Sequence, residues 1–152
     1  MAARFHEHEI KTGLKNKRKL TAFLDGLVSK WRPEITDAEL DFIFCCDDYL
    51  LQINRQFLDH DTLTDIITFD LSEDEEILQG EIYISVERVK ENAALFDTTY
   101  QDELHRVIFH GVLHLCGFKD KKEKDQKIMR KNEDYCLANY KHQLELDAKG
   151  HA

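Results

Sequence analysis

The amino-acid sequence predicts a single α+β domain over residues 1–152. Two kinds of segment point to it. Short β-branched and aromatic runs, such as Asp65–Leu71 (DIITFDL) and Glu81–Val86 (EIYISV), read as strands, whereas 15–31 and 100–116 repeat apolar residues at helical spacing. One proline and six glycines leave little room for a linker, and no internal repeat or low-complexity segment divides the chain. Its 152 residues fit the roughly 100–200 of one ordinary domain.

In chain order, residues 3–10 alternate weakly, as an edge strand does. Leu20, Phe23, Leu24, Leu27, Val28 and Trp31 share a helical face over 15–31, and Pro33 stops that helix. A strand over 40–46 puts Phe42, Phe44 and Cys46 on one side and Asp41, Ile43 and Cys45 on the other. Asp47-Asp48 reads as the N-cap of a helix to about Phe57. The strands at 65–71 and 81–86 flank an acidic turn, Glu73–Glu76, and predict a hairpin with a long loop. Ser85 is placed to cap a helix over 87–96, and Thr98-Thr99 one over 100–116. In the latter, Leu104, Val107, Ile108, Val112 and Leu115 occupy much of the circumference, the pattern of a buried helix, and Gly117 ends it. The last helix, 121–144, is charged at its start and amphipathic later, with Ile128, Met129, Cys136, Leu137, Tyr140 and Leu144.

The charge balance, 21 Lys+Arg against 30 Asp+Glu, gives a net charge of −9. This favours solubility and argues against a protein coated in nucleic acid. Basic residues nevertheless cluster in Lys11–Lys19 and Lys119–Lys131. The four cysteines form no C-x-x-C pair and read as free, mostly buried thiols of a reducing compartment. Without an apolar segment at the N-terminus or one long enough to span a bilayer, the expectation is a cytoplasmic protein with no membrane partner. A chain of this length needs no metal to hold its core, so any metal is free to serve chemistry.

The chemistry-bearing segment is His110-Gly-Val-Leu-His114-Leu-Cys-Gly117-Phe-Lys-Asp120. Helical residues four apart share a face, roughly 5–6 Å apart at Cβ, so both imidazoles can reach one ion. Gly117 falls where the helix must stop and the chain turn back, which allows Asp120 to return to the same ion. Two His, a carboxylate and an open position make the catalytic type of zinc site. Against this stands the plainer reading of hydrogen-bonded core histidines. The glycine and the acid at the spacing of a return turn decide for metal. Of the other candidates, His6, His8, His142 and His151 read as surface residues and Cys116 as core. His105, five residues before His110, faces elsewhere. His60 is either a plain loop residue or part of a substrate groove. The H-E-x-x-H signature of zinc proteases puts its Glu base where this chain has Gly111. A metzincin-like metalloprotease therefore matches in spacing but lacks its general base.

The same residues resemble the YbeY family of bacterial endoribonucleases, whose signature is similar to H-G-x-L-H-L-x-G-[YF]-x-[HD]. The chain supplies His110, Gly111, Leu113, His114, Leu115, Gly117, Phe118 and Asp120. A second family segment is matched by Ile53-Asn54-Arg55-Gln56-Phe57 and Thr64-Asp65-Ile66-Ile67-Thr68-Phe69, and a third by Gly80-Glu81-Ile82-Tyr83-Ile84-Ser85. Met129 and Glu133 fall where the family's last helix often carries Met and Glu.

The resemblance implies a mixed four-stranded sheet packed with about five helices around a central metal helix. It implies one zinc ion per chain on His110, His114 and Asp120. It further implies single-strand-specific endoribonuclease activity in 16S rRNA 3′-end maturation and ribosome quality control. The partners would be precursor RNA and the ribosome or its small subunit, not DNA. Two positions depart from the family. Asp120 stands where a third His is common, and Leu58 where many members have an Arg, leaving Arg55 or His60 as stand-ins. Thr64 and Asp65 are read as a turn and strand cap or as orienting groups for the site. Lys119, Lys121, Lys122 and Lys124 supply positive charge or form a solvated helix start. The general base is unassigned, and a non-catalytic metal-binding, ribosome-associated factor is the reading outside enzymology.

Overall fold

A computed structural model describes residues 1–150, and His151 lies outside the described residues. Along them run β1 (Ala2–Glu7), α1 (Lys17–Trp31), β2 (Asp37–Cys45), α2 (Asp47–Leu58), β3 (Ile66–Asp70), β4 (Ile77–Ser85), α3 (Val86–Leu95), α4 (Tyr100–Leu115) and α5 (Glu123–Gly150). This is the expected α+β order. The sheet order is β1-β2-β4-β3, with β1 on the edge. β1 and β4 flank β2 in parallel, while β3 pairs antiparallel with β4 as the expected hairpin. The sheet is therefore mixed.

Alternation places Leu40, Phe42 and Phe44 of β2 and Leu78, Ile82 and Ile84 of β4 in the main core. Leu20, Leu24, Leu27 and Val28 of α1 pack there, with α4 supplying Leu104, Val107, Ile108 and Val112. Each such side chain contributes about 1.5–3 kcal/mol by burial. The opposite strand face is covered by α2, where Cys45, Leu50, Ile53 and Ile67 form a smaller cluster. α4 touches α1, α3, α5, β3 and β4, which is why it is apolar nearly all round.

Two caps are as read. Thr99 Oγ1 accepts the Asp102 N–H at 3.1 Å, and Ser85 Oγ accepts the Arg88 N–H at 3.2 Å. The α2 cap differs. Cys46 occupies the cap position with no side-chain bond. The Asp47 carboxylate instead accepts from the Ser85 hydroxyl at 2.7 Å and from Arg88 at 2.9 Å, tying α2 to the start of α3. β4 begins earlier than its apolar run, because pairing with β2 extends it back to Ile77. Cys45, Cys116 and Cys136 are buried and all four thiols are free. Burial pushes the Cys45 thiol up to about 12. No helix among the described residues is long and apolar enough to cross a membrane.

At Gly111, α4 lies close against the sheet. A Cβ there would stand 2.9 Å from Ile66 Cδ1 and 3.1 Å from Ile82 Cγ2. Gly111→Ala is expected to destabilise the fold by about 1–3 kcal/mol, measured by denaturant unfolding, because Ile66 must rotate its Cδ1 away and Ile82 Cγ2, held at the β-branch on the strand, must shift.

Candidate metal centre

α4 ends in a turn that builds the site. Gly117 adopts a φ of 106°, which a side chain would strain. Its N–H donates to the His114 carbonyl at 3.0 Å, and the Phe118 N–H donates to the Leu113 carbonyl at 3.1 Å. This pair of bonds is the Schellman closure of a helix C-terminus. The Phe118 ring sits edge-on against Trp31 of α1, with centroids 4.8 Å apart, and anchors the turn to the body. The reversal has two consequences. The Phe118 carbonyl lies 3.1 Å from His114 Nδ1, and Asp120 comes back until its Oδ2 is 3.1 Å from His110 Nε2.

The partners fix the tautomers. His110 Nδ1 lies 2.7 Å from Glu133 Oε2 on α5. Carbonyl and carboxylate oxygens only accept, so both Nδ1 atoms carry the hydrogen. In the neutral rings both Nε2 atoms then offer lone pairs. The lone pair of His110 meets an Asp120 oxygen, so a positive charge belongs between them, either a proton or a cation. Burial pushes the His110 pKa down, but the Glu133 hydrogen bond and charge, then Asp120 and Asp65, outweigh it and hold the pKa above the ordinary 6.5. A cation fits the same place. Ligand atoms about 2.0–2.2 Å from one tetrahedral zinc stand roughly 3.3–3.6 Å apart, near the separation seen. A carboxylate on the far nitrogen of a ligating histidine is the usual orienting partner.

Of the three expected ligands, the structure thus brings His110 and Asp120 together. His114 is exposed and lines the same groove. Among the described residues no group of three or more His, Cys, Asp and Glu side chains is arranged to hold an ion.

Glu133 is itself held. Arg106 Nη1 lies 3.2 Å from it, and the same guanidinium lies 2.8 Å from Asp134 and 3.8 Å from the buried Glu103. Burial foremost raises the Glu103 pKa, with Arg106 opposing. Glu103 and Arg106 were not among the residues expected at the site. Their signal was present, since residues 103, 106, 110 and 114 lie at i, i+3, i+7 and i+11 on one polar stripe of a helix that is largely apolar after its first two turns.

Two cleft arms meet at Ile66, His110 and Asp120. One is lined by Leu58, His60, Thr64, His114 and Lys121. His60 therefore belongs to the groove, whereas Arg55 is paired with Asp61. Lys121 faces the groove, and Lys119, Lys122 and Lys124 are exposed. The Thr64 hydroxyl donates to the Ile66 carbonyl at 3.4 Å, a turn role. Asp65 lines the other arm, its pKa raised foremost by burial. The remaining candidates lie elsewhere. His6 bonds Asp41 at 2.9 Å, and His8 stacks on Tyr49 with centroids 4.1 Å apart. His105 packs against Tyr140, Cys116 is buried, and His142 is exposed. Position 111 faces Ile66 and Ile82, so the protease general base has no place here.

In metal-free protein, Glu133→Gln is expected to lower the His110 pKa, since it removes the charge that outweighs burial. An NMR titration of the imidazole resonances reads the shift.

The family model described as endoribonuclease YbeY matches residues 4–141. The endoribonuclease YbeY of Cytophaga hutchinsonii is 47% identical over 134 residues, covering 88% of this chain and 92% of the relative. That of Flavobacterium psychrophilum is 56% identical over 99 residues, covering 65% and 70%. The solution structure of TM1509 from Thermotoga maritima matches with a TM-score of 0.61 at 28% identity, covering 96% of this chain and 93% of that one. Neither a protease nor a non-catalytic factor is favoured by these similarities. With motif, fold and sequence similarity running together through most of its length, the chain belongs to the YbeY endoribonuclease family.

Proposed function

We propose that this chain, as one domain over residues 1–152, is a zinc-dependent endoribonuclease specific for single strands. It acts in the cytoplasm on precursor 16S rRNA, in 3′-end maturation and ribosome quality control, in contact with the small ribosomal subunit. The observation that carries the reading is the approach of His110 Nε2 to Asp120 Oδ2 at 3.1 Å, two lone-pair donors aimed at one point in an open cleft.

His110, His114 and Asp120 would hold one zinc ion. When bound, such an ion supplies Lewis-acid polarisation of a phosphoryl oxygen and activation of water. The chain's own residues do the rest. Glu133 fixes the tautomer and tilt of His110, and the Phe118 carbonyl does the same for His114. Arg106 keeps Glu133 from swinging away. Lys121 brings positive charge to the groove of a protein whose net charge of −9 otherwise repels RNA. His60 lines the wall where the family Arg is replaced by Leu58. Asp120, in place of a third imidazole, lowers the net charge of the loaded site.

The test is cleavage of a single-stranded RNA spanning the 16S precursor 3′ end, beside its DNA analogue and a duplex. The expected result is cleavage of the single-stranded RNA alone, abolished by chelator and restored by zinc. Asp120→Ala should slow it by about 100-fold or more. Zinc-loaded wild type that cuts none of the three would overturn the reading.

A further inference from the structure

We infer that the cleft arm walled by Asn92, Phe96, Gln126, Met129 and Arg130 is a base-binding subsite. It takes one unstacked nucleobase of single-stranded RNA, next to the phosphate lying at His110 and Asp120. The inference rests on the endoribonuclease reading and adds where the substrate is gripped.

Phe96 is 55% exposed and lines the arm that opens onto His110 and Asp120, so its ring is within reach of a substrate seated there. It is not on a loose loop. The Phe96 N–H donates to the Asn92 carbonyl at 2.9 Å, and the Thr98 N–H to the Ala93 carbonyl at 2.9 Å, so the ring is carried on the closed end of α3. The arm has a volume of about 370 Å³ and is continuous with the metal cleft through Ile66, His110 and Asp120. The other arm contains no Phe, Tyr or Trp, so stacking on an aromatic ring falls to Phe96.

Electrostatics select which part of a nucleotide enters. The inner wall carries Asp65, Glu103 and Glu133. The one guanidinium among them, Arg106, is already engaged by Glu133 and Asp134. A phosphate would meet three carboxylates against one guanidinium that is already shared, whereas an uncharged base would not be repelled. At the rim Arg130 is more than half exposed, 3.8 Å from Glu133, and can take the phosphate that the interior rejects. Met129 supplies an apolar floor, and the Asn92 and Gln126 amides offer both donors and acceptors to a base edge.

The experiment uses the zinc-loaded protein and a single-stranded RNA whose scissile bond is mapped with wild type. Phe96→Ala should raise KM by about 5- to 150-fold, the value of one base–aromatic stack, with the effect on KM rather than kcat. Phe96→Trp should restore it. Making the nucleotides flanking the mapped bond abasic one at a time should identify one position that costs wild type a similar factor and costs Phe96→Ala little more. Unchanged KM in Phe96→Ala, or equal abasic penalties in both proteins at every position, would overturn the subsite. Wild type that binds this RNA by fluorescence anisotropy in a Phe96-dependent way without cutting it would overturn the nuclease reading and leave the subsite standing. Phe96-independent binding without cleavage would remove both. Circular dichroism melting of each variant separates these effects from misfolding.

Discussion

The backbone reversal at Gly117 does three things at once. It closes α4, presents the Phe118 carbonyl to His114, and returns Asp120 to His110. None of these depends on a long flexible side chain finding its place. The turn is fixed by two backbone hydrogen bonds, by a φ that glycine alone adopts without strain, and by an aromatic contact to α1. Positioning a site on a rigid helix end keeps its geometry within the small tolerance that ligation and catalysis require.

The second constraint is electrostatic. Holding His110 in a single tautomer requires a carboxylate behind it, and Glu133 is buried. An unpaired carboxylate there would cost several kcal/mol, so the fold supplies Arg106, which also neutralises Glu103. α5 therefore does more than cover the core. Its Met129, Glu133, Cys136, Leu137 and Tyr140 form one buried stripe, and Glu133 is the member of that stripe that bonds His110. Stability and function meet in this residue.

Much of this was legible in the sequence. The four strands, the five helices, the hairpin, and the caps at Ser85 and Thr99 follow from local patterns, and the structure agrees with them. The helix spacing, glycine and acid of the 110–120 segment announce a site because all its members lie on one local element. What the sequence concealed depends on tertiary meetings. Glu133 lies 23 residues from His110 and reaches it only because α5 packs along α4. Arg106 is a partly buried charge on the helix that crosses the core, and its three carboxylate partners explain it. Asp47 looked like a helix cap because of its type and place, but the Ser85 hydroxyl and Arg88 outcompete the local backbone for its oxygens. Gly111 was read as a missing catalytic acid, and the isoleucines of the sheet beneath it leave no room for a carboxylate side chain.

If His110, His114 and Asp120 hold a metal, elemental mass spectrometry of the purified protein beside His114→Ala will find about one zinc per chain in wild type and far less in the variant. No metal in either, even after zinc is offered and the excess removed, would contradict that assignment and leave a proton as the charge shared by His110 and Asp120.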